Sequence, residues 1–222
     1  MRRLLRENGL SIVLLSLFFV FWAGQSRVGQ REYNADQREH GQPQASYPEY
    51  LRTAHFWEAT TENWESEFIQ IFSYVFLTAF LFQKGSAESK KPDEPEPVDR
   101  DPRASRDKAD APWPVRRGGL VLKLYENSLS LAFLLIFLIS ITLHAIAGSA
   151  EYNKEQRAHG EASGLTPLQY AGTSRFWFES MQNWQSEFLA IAAVVLLSIF
   201  LRQRGSPESK PVDSPHHETG GG

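Results

Sequence analysis

The sequence predicts an all-α integral membrane protein whose four transmembrane helices form two tandem helical hairpins, related as parallel repeats. Three observations lead there. Residues 10–26, 68–82, 128–149 and 188–201 contain no Asp, Glu, Lys or Arg, although mean hydropathy over the 222 residues is only −0.36. Residues 7–90 recur as residues 126–210 with a single residue added, and the offset changes from 119 to 120 across a loop. Trp57, Trp64, Trp177 and Trp184 precede the apolar runs, where an interfacial aromatic belt belongs.

The apolar runs of about 14 to 22 residues are short against the roughly 20 of a usual span, so a soluble bundle is the competing fold. A bundle helix keeps a polar stripe toward water. Residues 72–82 and 132–139 are apolar all round, and no amphipathic segment remains to wrap them, so lipid is the solvent they require. The expected spans are 8–27 and 66–83 in repeat 1 (7–90), and 127–149 and 186–202 in repeat 2 (116–210). The basic, apolar start also reads as a signal peptide, but the matching segment of repeat 2 lies mid-chain, which makes a retained anchor the simpler reading.

Two spans per repeat require both repeats to enter from the same side. Twelve Lys and Arg fall on one side, from Arg2, Arg3 and Arg6 through Lys84 and Arg116 to Lys210, against seven on the other: Arg27, Arg31, Arg38, Arg52, Lys154, Arg157 and Arg175. The richer side, with both termini, is expected in the cytoplasm. Residues 91–115 alternate acids, bases and prolines and are expected to be a disordered cytoplasmic linker, as is the tail 211–222.

The first helix should run on past its apolar part to a cap at Gly41. Tyr33, Asn34, Gln37, Arg38 and His40 share one broad helical face and return as Tyr152, Asn153, Gln156, Arg157 and His159. That face is expected to pack on the partner helix of its own hairpin. Ser46 and Thr53, the latter matched by Thr173, mark helix starts. On the following helix Thr60, Asn63 and Glu67 form a polar stripe expected to face protein, with Asn183 and Glu187 as counterparts. Gly85 and Gly205 are expected to cap the second helix of each hairpin. Equal rise in antiparallel helices sets Gln25 or Arg27 opposite Glu67, and His144 within a turn of Glu187.

Composition removes several function classes. Without cysteine there is no disulfide, thiolate nucleophile or Cys-based metal site. A net charge of −3 and the absence of a basic patch give no nucleic-acid partner. Phosphate loops, nucleophile elbows and HExxH are missing, and His40, His55, His144 and His159 with Glu67 and Glu187 lack the Glu-x-x-His spacing of bundle metal sites, so no catalytic residue, metal or cofactor is assigned. The expected partner is the lipid bilayer, and the expected role a non-enzymatic envelope scaffold for interactions. The alternative is a small channel or transporter with a path between the hairpins, since Ser16, Gln70, Ser73, Thr78, Ser140, Thr142, His144 and Ser198 offer polar groups in the spans.

The repeated Glu-Tyr-Asn, Gln-Arg and His-Gly, then Asn-Trp, Ser-Glu-Phe and Gly-Ser with Glu-Ser-Lys, resemble a bacterial family of small multi-pass membrane proteins known as a domain of unknown function. The resemblance covers most of both repeats. It implies a bacterial plasma-membrane location and supplies neither an activity nor functional residues.

Overall fold

The structure, a computed structural model, describes residues 2–92, 94–160 and 164–220, with side chains from residue 6 onward. The described residues are helical, with no strand. Helix α1 (Arg2–Glu39) is followed by α2 (Tyr47–Tyr50) and α3 (Ala54–Leu77), then by α4 (Trp113–Arg117), α5 (Gly119–Glu126), α6 (Ser128–Ala158), α7 (Pro167–Tyr170) and α8 (Ser174–Phe200). Among the described residues three helices are long and apolar enough to cross a membrane, over Arg6–Glu39, Ser128–Ala158 and Ser174–Phe200. Leu10, Phe21, Leu135, Leu189 and Phe200 are each more than half exposed along them, more apolar surface than water tolerates on one molecule.

Helix α3 differs from the span expected over 66–83. It holds Glu58, Glu62, Glu65 and Glu67 and ends at Leu77. Its last turn closes with Leu81 N donating to Leu77 O at 2.8 Å, so Gly85 and Gly205 do not cap helices as expected. Each is instead the third residue of a turn closed by Ser86 N donating to Gln83 O at 3.1 Å and Ser206 N to Gln203 O at 3.2 Å. Their φ angles of +88° and +85° are those of a type II turn, where glycine avoids the Cβ clash. The rest of that motif fastens the turn. Ser89 Oγ accepts from Gln83 N at 2.8 Å, and Ser209 Oγ from Gln203 N at 2.9 Å.

The chain divides into two compact units. The first comprises Met1–Thr61 and Thr142–Phe176, the second Glu62–Ile141 and Trp177–Gly222. In the first unit the expected caps are in place. Glu49 accepts from the Ser46 backbone at 2.7 Å and its hydroxyl at 2.6 Å, bonds that hold its carboxyl below the usual range. Thr53 and Thr173 each accept from a backbone N–H three residues on, at 3.3 Å. Gly41, at φ +66°, ends α1 with Gln42 N reaching Gln37 O at 2.7 Å. The core is aromatic and doubled. Tyr33, Tyr50 and Phe56 form one cluster, with Trp22 against it, while Tyr152, Tyr170 and Phe176 repeat the arrangement at centroid spacings of 5.8 Å. The residue added to repeat 2 falls in 161–165, of which 161–163 lie outside the described residues.

In the second unit Phe68 stacks on Phe133 and Phe137 meets Trp184 edge-on. The segment expected to be a disordered linker carries 3-10 turns at Pro97–Asp99 and Pro102–Ser105, each opened by proline and capped by an acidic residue, and Ala111 and Val115 pack with Leu122. The tail likewise makes contacts as far as Gly220. Thr219 Oγ1 accepts from Gly85 N at 2.8 Å, and Lys210, 1% exposed, gives its ammonium to the carbonyls of Gly85, His216 and Glu218 at 2.5, 3.0 and 2.8 Å. Both segments owe this order to side chains bonding backbone, a term that hydropathy and charge patterning do not register.

Gly29 and Gly148 explain how the aromatic clusters close. A Cβ on Gly29 lies 2.3 Å from the Tyr50 hydroxyl, and one on Gly148 lies 2.5 Å from the Tyr170 ring. We expect Gly29→Ala and Gly148→Ala each to cost about 1–3 kcal/mol, the usual penalty for overfilling a packed site. Gly24→Ala, which meets nothing within 4 Å, should leave thermal unfolding of the detergent-solubilised protein unchanged. Equal melting temperatures for all three variants would refute the close-packing role.

Candidate functional site

The first unit holds a polar cleft of about 540 Å³ beside the C-terminal turns of α1 and α6. Helical spacing sets Glu32, Tyr33, Asp36, Gln37 and His40 on one side of α1, and α6 supplies Glu151, Lys154 and Glu155. His55, from the first turn of α3, and His159, just past α6, complete the ionisable lining together with Arg157.

These groups are arranged as acid–base pairs. Lys154 Nζ donates to the Tyr33 hydroxyl at 3.0 Å and to buried Glu151 at 3.2 Å, and stands 4.2 Å from the Tyr33 ring centroid. His55 meets Glu32 at 3.3 Å through Nε2 and the Tyr50 hydroxyl at 3.3 Å through Nδ1. His40 lies 3.3 Å from Asp36, and its ring is edge-on to that of His159 with centroids 6.4 Å apart. Glu155 takes a bidentate contact from Arg175, at 2.5 and 3.2 Å. Burial, and then the charges of Glu32 and Glu151, push the Tyr50 phenol up to about 12. No cluster of three or more metal-ligating side chains occurs among the described residues.

Five of the residues singled out by repetition line the cleft: Tyr33, Gln37, His40, Arg157 and His159. The others serve differently. Asn34 donates to Ala45 O at 2.9 Å and accepts from Ala45 N at 2.8 Å, and Asn153 does the same to Leu165 at 2.9 Å in both directions. Each asparagine thus pins its connecting loop as a paired strand would. Tyr152 packs on Tyr170, Gln156 is half-buried, and Arg38 is exposed. The face on α1 is expected to meet the partner helix of its own hairpin, and Tyr33 packs on Tyr50, His55 and Phe56 of its own repeat, but it is also reached by Lys154 of repeat 2. Its counterpart in repeat 1 is Ala35, so the pairing has no sequence symmetry to announce it.

Arg27, expected beside Glu67, lies 3.6 Å from the centroid of the Tyr47 ring, and His144, expected beside Glu187, is fully buried and stacked on Phe176 at 4.7 Å. A flat ring offers each of these side chains a stacking surface that the equal-rise argument omitted. Of the expected polar stripe, Thr60 is buried in the first unit, while the second unit holds Asn63 and Glu67. Asn63 and Glu67 are exposed, whereas Glu65, Ser66 and Gln70 are buried. There Trp184 donates to Glu65 at 3.0 Å, Asn183 to Glu62 at 2.5 Å, and Gln70 to the backbone carbonyl of Glu187 at 3.1 Å. Sequence reasoning also missed Tyr50, Phe56, Tyr170, Phe176, Gly29 and Gly148. All six recur at the repeat offsets, and that was the available signal.

Residues 1–221 match the family described as "Domain of unknown function (DUF6766)", and the chain belongs to that family. No curated protein and no solved structure is significantly similar to it.

Two outcomes follow from the pairs. Asn34→Asp keeps the acceptor of the loop clamp and loses the donor, and should cost about 0.5–1.5 kcal/mol. Hydrogen exchange should then speed at residues 42–46 only, and unchanged protection there would refute the clamp. Raising the Tyr50 pKa above that of an unfolded tyrosine, roughly 10, stabilises the fold fully below that pH and loses this stabilisation as pH rises toward about 12. An alkaline tyrosinate titration should therefore lose part of its late-titrating component in Tyr50→Phe. Unchanged curves would rule out the buried, acid-flanked setting.

Proposed function

We propose that this DUF6766 protein is a multi-pass protein of the bacterial plasma membrane, folded as two tandem hairpins with both termini in the cytoplasm, and that it acts as a non-enzymatic interaction scaffold of the envelope. In this reading α3 is the fourth span, entering the bilayer with its charge-free residues 68–77. The observation that supports the scaffold role most is the pairing within the cleft. Glu32, Asp36, Glu151 and Glu155 each lie within 4 Å of a basic side chain, so the acids of the cleft already have partners rather than standing open to an ion. The Asn34 and Asn153 clamps fix the two loops beside it. A polar surface held in advance in this way loses little ordering entropy when a partner docks.

Topology and role are tested together. Reporters fused after Ser105 and after Thr219 should both read cytoplasm, and a periplasmic signal from either overturns the hairpin arrangement. A photo-crosslinking residue at His40, in native membranes, should give a discrete protein adduct that Arg157→Ala weakens. Adducts only with lipid, or a protein adduct indifferent to Arg157, refute the scaffold reading.

A further inference from the structure

We infer that the first unit carries a specific site for an anionic phospholipid, in an apolar groove of about 450 Å³ with Arg52 at its edge. The inference rests on the reading that α6 spans the membrane. Trp57 and Thr61, one turn apart on α3, form one wall, and Leu143, Ile146 and Ala147 of α6 form the other. Ala147 and Ala150 leave the hollow between them.

The hydrogen-bonding groups of the walls are already used. The Trp57 indole N–H donates to Leu51 O at 3.1 Å, and the Thr61 hydroxyl donates to Trp57 O at 2.7 Å. The groove therefore presents ring, methyl and methylene surface, which suits an acyl chain and gives a polar ligand nothing to bond. Arg52 is the exception. It is exposed and has no acid within ion-pair distance among the described residues; Glu49, three residues back, is bonded to Ser46 and feels the Arg52 charge only as a lesser effect.

Position along α6 selects the kind of occupant. Residues 128–149 carry no charge and Glu151 is the next ionisable side chain, so Leu143, Ile146 and Ala147 occupy the last turns of the apolar stretch. That is the depth at which acyl chains meet headgroups, and tryptophan favours it. A guanidinium there can grip a phosphate with two parallel N–H donors. The repeat provides an internal comparison, because Arg52 and Thr61 correspond to Gly172 and Met181. The second copy thus lacks both the cation and the small wall residue, and the site occurs once per chain.

The test uses the full-length protein in nanodiscs of phosphatidylcholine containing a minor fraction of phosphatidylglycerol with the same acyl chains, read by native mass spectrometry after release. We expect one phosphatidylglycerol retained per chain. Arg52→Gln should lower its preference over phosphatidylcholine about tenfold, the scale of one charge-assisted hydrogen bond. Ala147→Phe, or Ala150→Leu should the first variant fail to fold, fills the hollow and should lower retention of both lipids. Equal retention of the two lipids, a preference untouched by Arg52→Gln, or displacement by oleate at equal concentration would each overturn the site. Alkaline carbonate extraction of the same membranes separates the two levels of the argument. An extractable protein refutes the spanning reading, whereas a resistant protein without lipid preference refutes only the site.

Discussion

Helices that are apolar all round can make specific polar contacts only at their ends. A surface of Leu, Phe, Val and Ile, as on α1 between Leu10 and Phe21, attracts any other such surface about equally and fixes neither register nor partner. Specificity in this chain is consequently concentrated where the charge-free stretches stop. There the tyrosines, asparagines, serines and lysines reach backbone and one another, and the connecting segments are held by single side chains rather than by regular secondary structure. Asn34 on Ala45, Ser89 on Gln83 and Lys210 on three carbonyls are variants of this one solution.

What the sequence disclosed follows the same division. Long helices over the apolar runs, the caps at Ser46, Thr53 and Gly41, and the shared face of Tyr33, Gln37 and His40 were legible, because periodicity and capping chemistry are local; the end of α3 at Leu77 was not. Partners were not. Helical spacing put Tyr33 and His40 on one face and assigned that face to its own hairpin, but Lys154 also reaches Tyr33, from a position where the repeats differ. Arg27 and His144 went to aromatic rings because equal-rise geometry treats a helix pair as two rods and omits the aromatic cluster between loop and helix. Gly85 was misplaced for a similar reason: a glycine after an apolar run suits a helix cap and a type II turn equally well, and only the hydrogen bond from Ser86 to Gln83 distinguishes them.

The repeat also shows how one set of positions acquires two electrostatic characters. The lysine that closes each Gly-Ser motif is Lys90 in the first copy, bound to Asp99 at 2.6 Å, and Lys210 in the second, buried among backbone carbonyls. An exposed pair of the first kind contributes little and weakens with salt. An ammonium sealed among carbonyls is shielded from salt, and removing it leaves those acceptors unsatisfied. The tail is therefore fastened by a contact that ionic conditions do not loosen.

The cleft divides in the same manner. His55 and Arg175 hold corresponding positions at the first turns of α3 and α8, and each faces an acid on a helix end, Glu32 and Glu155 respectively. Guanidinium keeps its charge at any working pH, so the Arg175–Glu155 fork is permanent and sets the geometry on its side. His55 instead makes a single contact with its acid, at 3.3 Å through Nε2. Because His55 also touches the Tyr50 hydroxyl, whose ring packs on Tyr33 and Phe56, it ties Glu32 to the aromatic cluster. Histidine in one copy and arginine in the other thus give the two sides of an otherwise repeated surface different attachments.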